Sequence, residues 1–235
     1  MSDPRAFVLL DIDDTILDFQ TAEAAALRRT FAALGIPADD ALIARYNVIN
    51  RSQWELLEAG VLTREQVLVR RYELLFEEYG LQADAAEATK RYENELCIGH
   101  WFMPGAEALL EELRGDYRLL IVSNGSAKVQ DARLRSAGIG PFFEQIFISE
   151  RLGAEKPTRA FFERCFARVP DFDPTRAILV GDSLTSDIRG AINAGVLSCW
   201  YNARQRPARA DIVPDYEIRA LSELPPLLKR LFPRS

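Results

Sequence analysis

The chain has 235 residues, 48% of them hydrophobic and 27% charged, which is typical of a globular protein with one large domain or a core and a smaller insertion. The formal net charge is −6, and because basic residues are interspersed with acidic ones, the sequence has no basic stripe and we expect no nucleic-acid polymer as a partner. The N-terminus lacks a signal-peptide pattern and every apolar run is shorter than the ~18 residues of a membrane span, so we expect a cytoplasmic protein with no membrane partner.

The first predicted element is a buried strand over residues 7–10, which stops at the cluster Asp11-Ile12-Asp13-Asp14-Thr15. An apolar run that ends abruptly at charged residues is typical of an interior strand of a parallel sheet. Ligands of open α/β sheets bind beyond the carboxyl ends of the strands. Asp11 and Asp13 are therefore candidate functional residues, although carboxylates at strand ends also serve as helix caps or solvated loop residues.

Residues 18–99 show helical periodicity and no strand pattern. Apolar residues recur at helical spacing at positions 27, 31 and 34, and again at positions 68, 72, 75, 76 and 79 before Gly80. This pattern predicts an all-helical domain over residues 18–99, inserted into a core that residues 1–17 and 100–235 form.

Strand and helix patterns alternate after Pro104, which can occupy the first turn of a helix. We predict strands over 118–122, 145–148, 177–180 and 196–201, and helices over 127–137, 159–169, 186–194 and 221–231. Such alternation indicates a parallel sheet with helices on both faces. The predicted fold class is α/β, a Rossmann-like doubly wound parallel sheet with an inserted all-helical domain.

Polar clusters follow two further predicted strands in the way that Asp11 follows the first. Ser123-Asn124-Gly125 comes after 118–122, and Gly181-Asp182 opens a segment that reaches Asp187 after 177–180. Between them, Pro157 bars a helix at Lys156 and fixes this lysine near the same edge. Each cluster by itself fits a turn, a loop or a solvated side chain. Parallel strands would gather all of them at one end of the sheet.

Aspartates without histidine or cysteine partners form a hard oxygen site that suits Mg²⁺. The sole histidine, His100, lies in a predicted connector where a structural or surface role is expected, and Cys165 and Cys199 lie in predicted core segments. Phosphoryl transfer fits this set best. The metal and a lysine would neutralise charge, a serine hydroxyl and loop amides would hold the phosphoryl oxygens, and one carboxylate would attack phosphorus while a second exchanges a proton.

On these four motifs the chain resembles the haloacid dehalogenase superfamily, in its phosphatase branch with a helical cap inserted after the first strand. The resemblance implies a set of roles at matching positions: Asp11 as nucleophile and metal ligand, Asp13 as acid/base and backbone-carbonyl metal ligand, Ser123 as phosphate binder with the amides of Asn124 and Gly125, Lys156 as the charge that stabilises the phospho-aspartate, and Asp182 as the remaining metal carboxylate.

Two further residues receive supporting roles from the resemblance. Asp187 matches the second acidic position and would act on the metal through water or by holding a ligand, since one helical turn separates it from Asp182. Thr15 would support the first loop. The dehalogenases that name the superfamily lack the aspartate at position 13 and need no metal, so the resemblance implies phosphate ester hydrolysis instead.

The choice of phosphate ester belongs to the helical insertion in this architecture. Residues 46–54 place Asn50 and Trp54 near one helical face, where an amide can read a base edge and a ring can stack on it, or where both can pack inside the helical domain. This segment and residues 192–203 resemble the noncanonical pyrimidine nucleotidases. That resemblance implies hydrolysis of pyrimidine nucleoside 5′-monophosphates.

Three alternatives stay open from the sequence. The chain could be a phosphatase for another small metabolite, such as phosphoglycolate, or a sugar-phosphate mutase on the same scaffold. A binding or regulatory module that kept the fold is the third alternative. It is disfavoured because the four charged motif residues, at positions 11, 13, 156 and 182, are all present.

Overall fold

The computed structural model describes residues 5–233. Over these residues six strands form one parallel sheet in the order β3-β2-β1-β4-β5-β6. The strands are β1 Phe7–Leu10, β2 Arg118–Ser123, β3 Gln145–Ile148, β4 Ala177–Gly181, β5 Leu197–Tyr201 and β6 Tyr216–Ile218. The helices are α1 Phe19–Ala33, α2 Asp40–Glu58, α3 Arg64–Tyr79, α4 Ala85–Leu96, α5 Ala106–Leu113, α6 Ala127–Ala137, α7 Ser149–Leu152, α8 Arg159–Phe166, α9 Arg189–Ala194 and α10 Leu224–Leu231.

The chain divides into two compact units. The sheet unit contains the described residues up to Phe19 and those from His100 onward, and the helical unit contains Gln20–Gly99. The structure thus places the boundaries at 19/20 and 99/100, where the sequence predicts 17/18 and 99/100.

The sheet is buried on both faces, which confirms the predicted doubly wound α/β fold. Successive strand residues point to opposite faces, so Val8 and Leu10 join a core with α5 and α10, whereas Phe7 and Leu9 join a second core with α8 and α9. The inner strands β1, β2 and β4 are buried along their whole length, so they are largely apolar runs rather than alternating ones.

The structure corrects several predicted boundaries. The predicted helix 186–194 begins as a π-helical turn at Leu184–Ile188 and continues as α9, and the predicted helix 221–231 begins as a 3₁₀ turn at Leu221–Glu223 before α10. Helix α8 ends at Phe166, earlier than predicted, and both α7 and the short edge strand β6 were missed.

The helical unit has its own core, in which α2, α3 and α4 bring together the rings of Tyr46, Tyr72 and Tyr92, all at most 1% exposed. Within the part of the chain that the structure describes, none of the helices combines the length and the apolar character that crossing a bilayer requires. Cys165 and Cys199 are buried and free, as the sequence predicts for core residues.

Candidate active site

The pairing register of the sheet brings the predicted site residues to one edge. Leu10 at the end of β1 pairs with Ile121 of β2 on one side and with Val180 of β4 on the other. Because the three strands are parallel and end together, Asp11, Ser123 and Asp182 emerge at the same edge of the sheet.

Lys156 is the central cation of this edge. Its Nζ donates to Asp11 Oδ1 at 2.7 Å, to Asp187 Oδ1 at 2.6 Å and to the carbonyl oxygen of Val122 at 2.8 Å, so all three ammonium protons are used. The side chain is 2% exposed. Burial lowers the pKa of Lys156, but the Asp11 and Asp187 carboxylates outweigh that effect and hold the pKa above its ordinary value. Lys156 is therefore a permanent positive charge.

The side chain of Asn124 fixes the backbone of Lys156. Its Nδ2 donates to the carbonyl oxygen of Lys156 at 2.9 Å, and its Oδ1 accepts from the Lys156 N–H at 2.9 Å. Because these two bonds orient the lysine, the Asn124 side chain contributes to the site through Lys156, and its predicted phosphate contact would fall to its backbone amide.

Three carboxylates face one another beside this lysine, and of these Asp11 and Asp187 are buried while Asp182 is partly buried. Oxygens of Asp11, Asp182 and Asp187 all lie within 4.8 Å of one another. Burial raises the pKa of Asp11 well above its ordinary value, Lys156 opposes the shift, and neighbouring carboxylates add to it. Burial likewise raises the pKa of Asp182 to about 7, against the lowering effect of Arg206. Lys156 contacts two of the three carboxylates and Arg206 contacts the third.

This donor set fits a divalent cation. Carboxylate oxygens are the ligands that Mg²⁺ prefers, and oxygens on opposite sides of a bound Mg²⁺ lie about 4.2 Å apart. Both oxygens of Asp187 already accept hydrogen bonds, from Lys156 and from the Ser183 N–H at 3.1 Å. Asp11 and Asp182 are therefore the better direct ligands, and Asp187 is better suited to hold Lys156.

Glycine at position 181 makes room for Asp187. A Cβ at Gly181 would lie 2.2 Å from Asp187 Cγ and Oδ2, closer than any non-bonded contact allows. The acidic cluster therefore depends on a missing side chain at the end of β4.

Asp13 lies outside the three-carboxylate cluster. Its Oδ2 accepts from Gln130 Nε2 at 2.7 Å, and its Oδ1 forms an ion pair with Arg133 Nη1. The side chain is 28% exposed, whereas the Arg133 side chain is fully buried. A role of Asp13 in metal binding would therefore fall to its backbone.

Sequence reasoning missed Gln130 and Arg133. Both lie on the buried face of α6, together with Val129 and Leu134. Two long polar side chains at i, i+3 on an otherwise apolar face, directly after a polar strand end, are the signal that could have found them.

The hydroxyl of Ser123 lies beside Gln130, which also contacts Asp13. Its Oγ accepts from the Gly125 N–H at 3.0 Å and from Gln130 Nε2 at 2.9 Å. With both lone pairs engaged, the O–H proton is left to donate to a ligand oxygen.

Two arginines from the loop after β5 contact the acidic residues. Arg206 Nη1 donates to Asp182 Oδ2 at 2.9 Å, and Arg204 Nη2 donates to Asp14 Oδ1 at 3.1 Å. Asp14, which the sequence left unassigned, has a left-handed backbone with φ 57° and also accepts from the Phe19 N–H at the start of α1. Asp14 therefore orders the first loop, and sequence reasoning did not find either arginine.

The remaining predicted site residues are Thr15 in the sheet unit and Asn50 and Trp54 in the helical unit. The hydroxyl of Thr15 is buried without a hydrogen-bond partner among the described residues, so its supporting role stays a prediction. In the helical unit, Asn50 Nδ2 donates to Glu23 at 3.0 Å, and Asn50 Oδ1 accepts from Trp54 Nε1 and from Arg71, each at 3.0 Å. Asn50 and Trp54 are thus brought together, and their predicted contact with substrate stays a prediction.

Comparison with known proteins decides the family of this site. The model of the haloacid dehalogenase-like hydrolase family matches residues 6–195. The chain belongs to this family. The prediction from the four motifs is therefore confirmed, and the chain is an enzyme of the hydrolase class.

Individual relatives agree with this assignment. The chain is 43% identical over 217 residues to the HAD-hydrolase YfnB of Bacillus subtilis, covering 92% of each chain. It is 33% identical to the pyrimidine 5′-nucleotidase PynA of Streptococcus pneumoniae, covering 93% of this chain and 92% of that one. It is 30% identical to the pyrimidine 5′-nucleotidase YjjG of Escherichia coli, with 94% and 97% covered.

The solved structure of YfnB bound to magnesium superimposes on this chain with a TM-score of 0.91 at 42% identity, covering 95% of this chain and 98% of that chain. The solved relative thus binds magnesium, and this chain has a cluster of three aspartate carboxylates.

Proposed function

We propose that the protein is a Mg²⁺-dependent phosphatase that hydrolyses small phosphate monoesters through an aspartyl-phosphate, and that its substrates are pyrimidine nucleoside 5′-monophosphates. The observation that carries the chemistry is the buried Lys156 ammonium held between Asp11 and Asp187, with the hydroxyl of Ser123 and the carboxylate of Asp13 close by. This set offers a nucleophile, a counter-charge, a hydroxyl that binds phosphate and a proton carrier.

Asp11, Asp182 and the backbone carbonyl of Asp13 would hold the Mg²⁺, while Asp187 holds Lys156 and acts on the metal indirectly. When bound, the metal neutralises charge on the phosphoryl oxygens and on the crowded carboxylates. Both of these effects favour the approach of an anionic substrate to an anionic nucleophile.

Asp11 is the nucleophile in this proposal. Its Oδ1 is held by Lys156 and would also be the oxygen that binds the metal, so Oδ2 attacks phosphorus and forms the aspartyl-phosphate while the bond from phosphorus to the ester oxygen breaks. The Ser123 O–H and the amides of Asn124 and Gly125 bind phosphoryl oxygens, and Lys156 offsets their charge. Protonated Asp13 gives its proton to the departing alkoxide, which leaves as the alcohol.

The second half of the reaction, hydrolysis of the aspartyl-phosphate, returns the enzyme to its starting state. Asp13, now a carboxylate, takes a proton from water, and the resulting hydroxide attacks the aspartyl-phosphate. The Asp11–phosphorus bond breaks, and inorganic phosphate leaves. One residue thus serves as acid and then as base, as microscopic reversibility favours.

The substrate class rests on relatives and on the helical unit. PynA and YjjG, both at or above 30% identity over nearly the whole chain, carry the name pyrimidine 5′-nucleotidase. We assign the helical unit to substrate selection and the sheet unit to catalysis. Within the helical unit the ring of Trp54 is half-buried and its Nε1 is held by Asn50, so we assign base stacking to Trp54 and its support to Asn50.

The substitution Asp11→Asn tests the nucleophile. It keeps the size of the side chain but replaces the attacking carboxylate, so Mg²⁺-dependent phosphate release should fall by about 10⁴-fold or more, in the range found when a catalytic nucleophile is lost. The melting temperature should change little. Turnover that survives in the folded variant would refute the assignment.

A phosphate-release screen with Mg²⁺ tests the substrate class. We expect uridine and thymidine monophosphates to give a higher kcat/KM than purine nucleotides, sugar phosphates and phosphoglycolate. If they show no advantage, the pyrimidine assignment fails and the phosphatase assignment stands. Phosphate release that requires a bisphosphate activator would indicate a mutase instead.

A further inference from the structure

Two buried side chains of α6 join the residues on which the proposed chemistry depends. Gln130 and Arg133 are 1% and 0% exposed and lie one helical turn apart. Gln130 Nε2 donates to Asp13 Oδ2 at 2.7 Å and to Ser123 Oγ at 2.9 Å. Both protons of this amide are therefore engaged at the site, one on the proposed acid/base group and one on the proposed phosphate-binding hydroxyl.

The guanidinium of Arg133 is directed at the same carboxylate. Its Nη1 donates to Asp13 Oδ1 and, at 3.0 Å, to Gln130 Oε1. Its Nε and Nη2 have no hydrogen-bond partner among the described residues, and the ring of Phe19 lies 5.5 Å from the guanidinium carbon. A buried cation is costly unless it is paired. The ion pair with Asp13 therefore stabilises the buried guanidinium, although its Nε and Nη2 stay without acceptors among the described residues.

The loop before α6 leaves room for Gln130. A Cβ at Gly125 would lie 2.4 Å from Gln130 Nε2 and 2.7 Å from Gln130 Cδ and Cγ. The absence of a side chain at position 125 thus lets the amide reach both of its partners, which ties the polar turn after β2 to the side chain that follows it on α6.

We propose that Gln130 and Arg133 are positioning residues that hold the Asp13 carboxylate beside the Ser123 hydroxyl, so that the proton carrier and the phosphate binder keep a fixed separation. This inference rests on the proposed function. Gln130 contacts both groups, so its loss displaces both. Arg133 contacts the carboxylate and the amide, so its loss releases Asp13 first.

Dependence on the leaving group tests this proposal. In Gln130→Met and Arg133→Met, kcat for a pyrimidine nucleoside monophosphate should fall about tenfold further than kcat for p-nitrophenyl phosphate, because an alkoxide needs the proton that Asp13 supplies and a nitrophenolate does not. KM should change little for Arg133→Met. Arg133→Lys should recover part of the loss, since it keeps the charge.

The ratio of the two rates is measured in one preparation, so partial unfolding of a variant lowers both rates equally and cancels. Arg135, exposed on the same helix, gives the matched control Arg135→Met, which should leave the ratio unchanged. In an Asp13→Asn background, Gln130→Met and Arg133→Met should add no selective loss, because the group that they position is gone.

Two failures are distinguishable in this experiment. Equal losses on both esters in Gln130→Met and Arg133→Met, or a selective loss that persists with Asp13→Asn, would overturn the positioning role while leaving the phosphatase intact. A wild-type chain that releases phosphate from neither ester would overturn the proposed function and this inference together.

Discussion

At the scale of single residues, the site depends on a glycine as much as on its charges. In Gly181→Ala the new methyl group would meet Asp187 at 2.2 Å, so Asp187 must move and give up Lys156. We expect a loss of about 1–3 kcal/mol in the free energy of unfolding, as for other overpacked sites, and a large loss of kcat. Gly140→Ala is the matched control, because a Cβ there meets nothing within 4 Å. Urea unfolding with phosphate-release assays measures both, and a fully active Gly181→Ala would contradict the packing argument.

Arg206 occupies one oxygen of a proposed metal ligand. Because its Nη1 donates to Asp182 Oδ2 at 2.9 Å, Mg²⁺ must compete with this contact and with the arginine's charge. A hydrogen bond to a charged group contributes about 1.5–3 kcal/mol, so Arg206→Gln should bind Mg²⁺ about ten- to a hundredfold more tightly.

Isothermal titration of the apoprotein with MgCl₂ measures this affinity without any turnover. Arg209→Gln is the control, since Arg209 pairs with Asp211 at 3.1 Å. Unchanged or weaker Mg²⁺ binding by Arg206→Gln would show that Arg206 does not oppose the metal.

At the scale of helices and strands, the sequence predicts several elements nearly to the residue. The apolar runs of β1 and β3 match their predicted bounds, as does α6. All four residues of β1 are buried, so its run is apolar throughout, and β3 keeps an apolar run at its buried carboxyl end. The edge strand β6 has three residues with mixed exposure, too few to show a period, and was missed.

The residues of the candidate site likewise fall into those that the sequence predicted and those that it missed. Asp11, Ser123 and Asp182 follow strands, so the topology of a parallel sheet is enough to bring them together. Gln130, Arg133 and Arg206 come from a helix face and a loop, where a polar residue resembles ordinary solvated surface until the three-dimensional structure shows what it contacts. The pattern along the chain therefore predicts ligands at strand ends better than the side chains that orient them.

The tyrosine core of the helical unit gives an element-scale prediction about pH. Burial raises the pKa of Tyr46, Tyr72 and Tyr92 above the ordinary value of about 10. In the unfolded chain these hydroxyls ionise near pH 10, whereas in the folded unit they keep their protons. The unfolded state then binds fewer protons, so stability is fully present below pH 10 and falls as the pH rises above it.

Urea unfolding followed by far-UV circular dichroism between pH 8 and pH 11 measures the slope of the free energy of unfolding against pH. This range spans the ordinary tyrosine pKa of about 10. Tyr46→Phe should flatten the slope, because one titrating hydroxyl is removed. Tyr79→Phe is the control, since Tyr79 is 44% exposed. A slope that is the same in Tyr46→Phe and in the wild type would mean that this hydroxyl does not contribute.

At the scale of the whole molecule, we expect bound Mg²⁺ to stabilise the sheet unit more than the helical unit. All the proposed Mg²⁺ ligands belong to the sheet unit, and they follow β1 and β4. A ligand that binds the folded state stabilises it by RT ln(1 + [L]/Kd), about 2.7 kcal/mol at one hundred times Kd. Hydrogen exchange in MgCl₂ and in EDTA should therefore show added protection in peptides from β1 and β4.

Peptides from α2 and α3 carry no proposed ligand and provide the internal comparison. If the sheet unit unfolds separately, their exchange should stay the same when Mg²⁺ is added. Asp182→Asn should remove the protection from β1 and β4, because it takes away one proposed ligand while keeping the side-chain size. Equal protection of both units would mean that they unfold as one, and protection that survives Asp182→Asn would place the metal elsewhere. The same measurement thus tests the metal site and the independence of the two units.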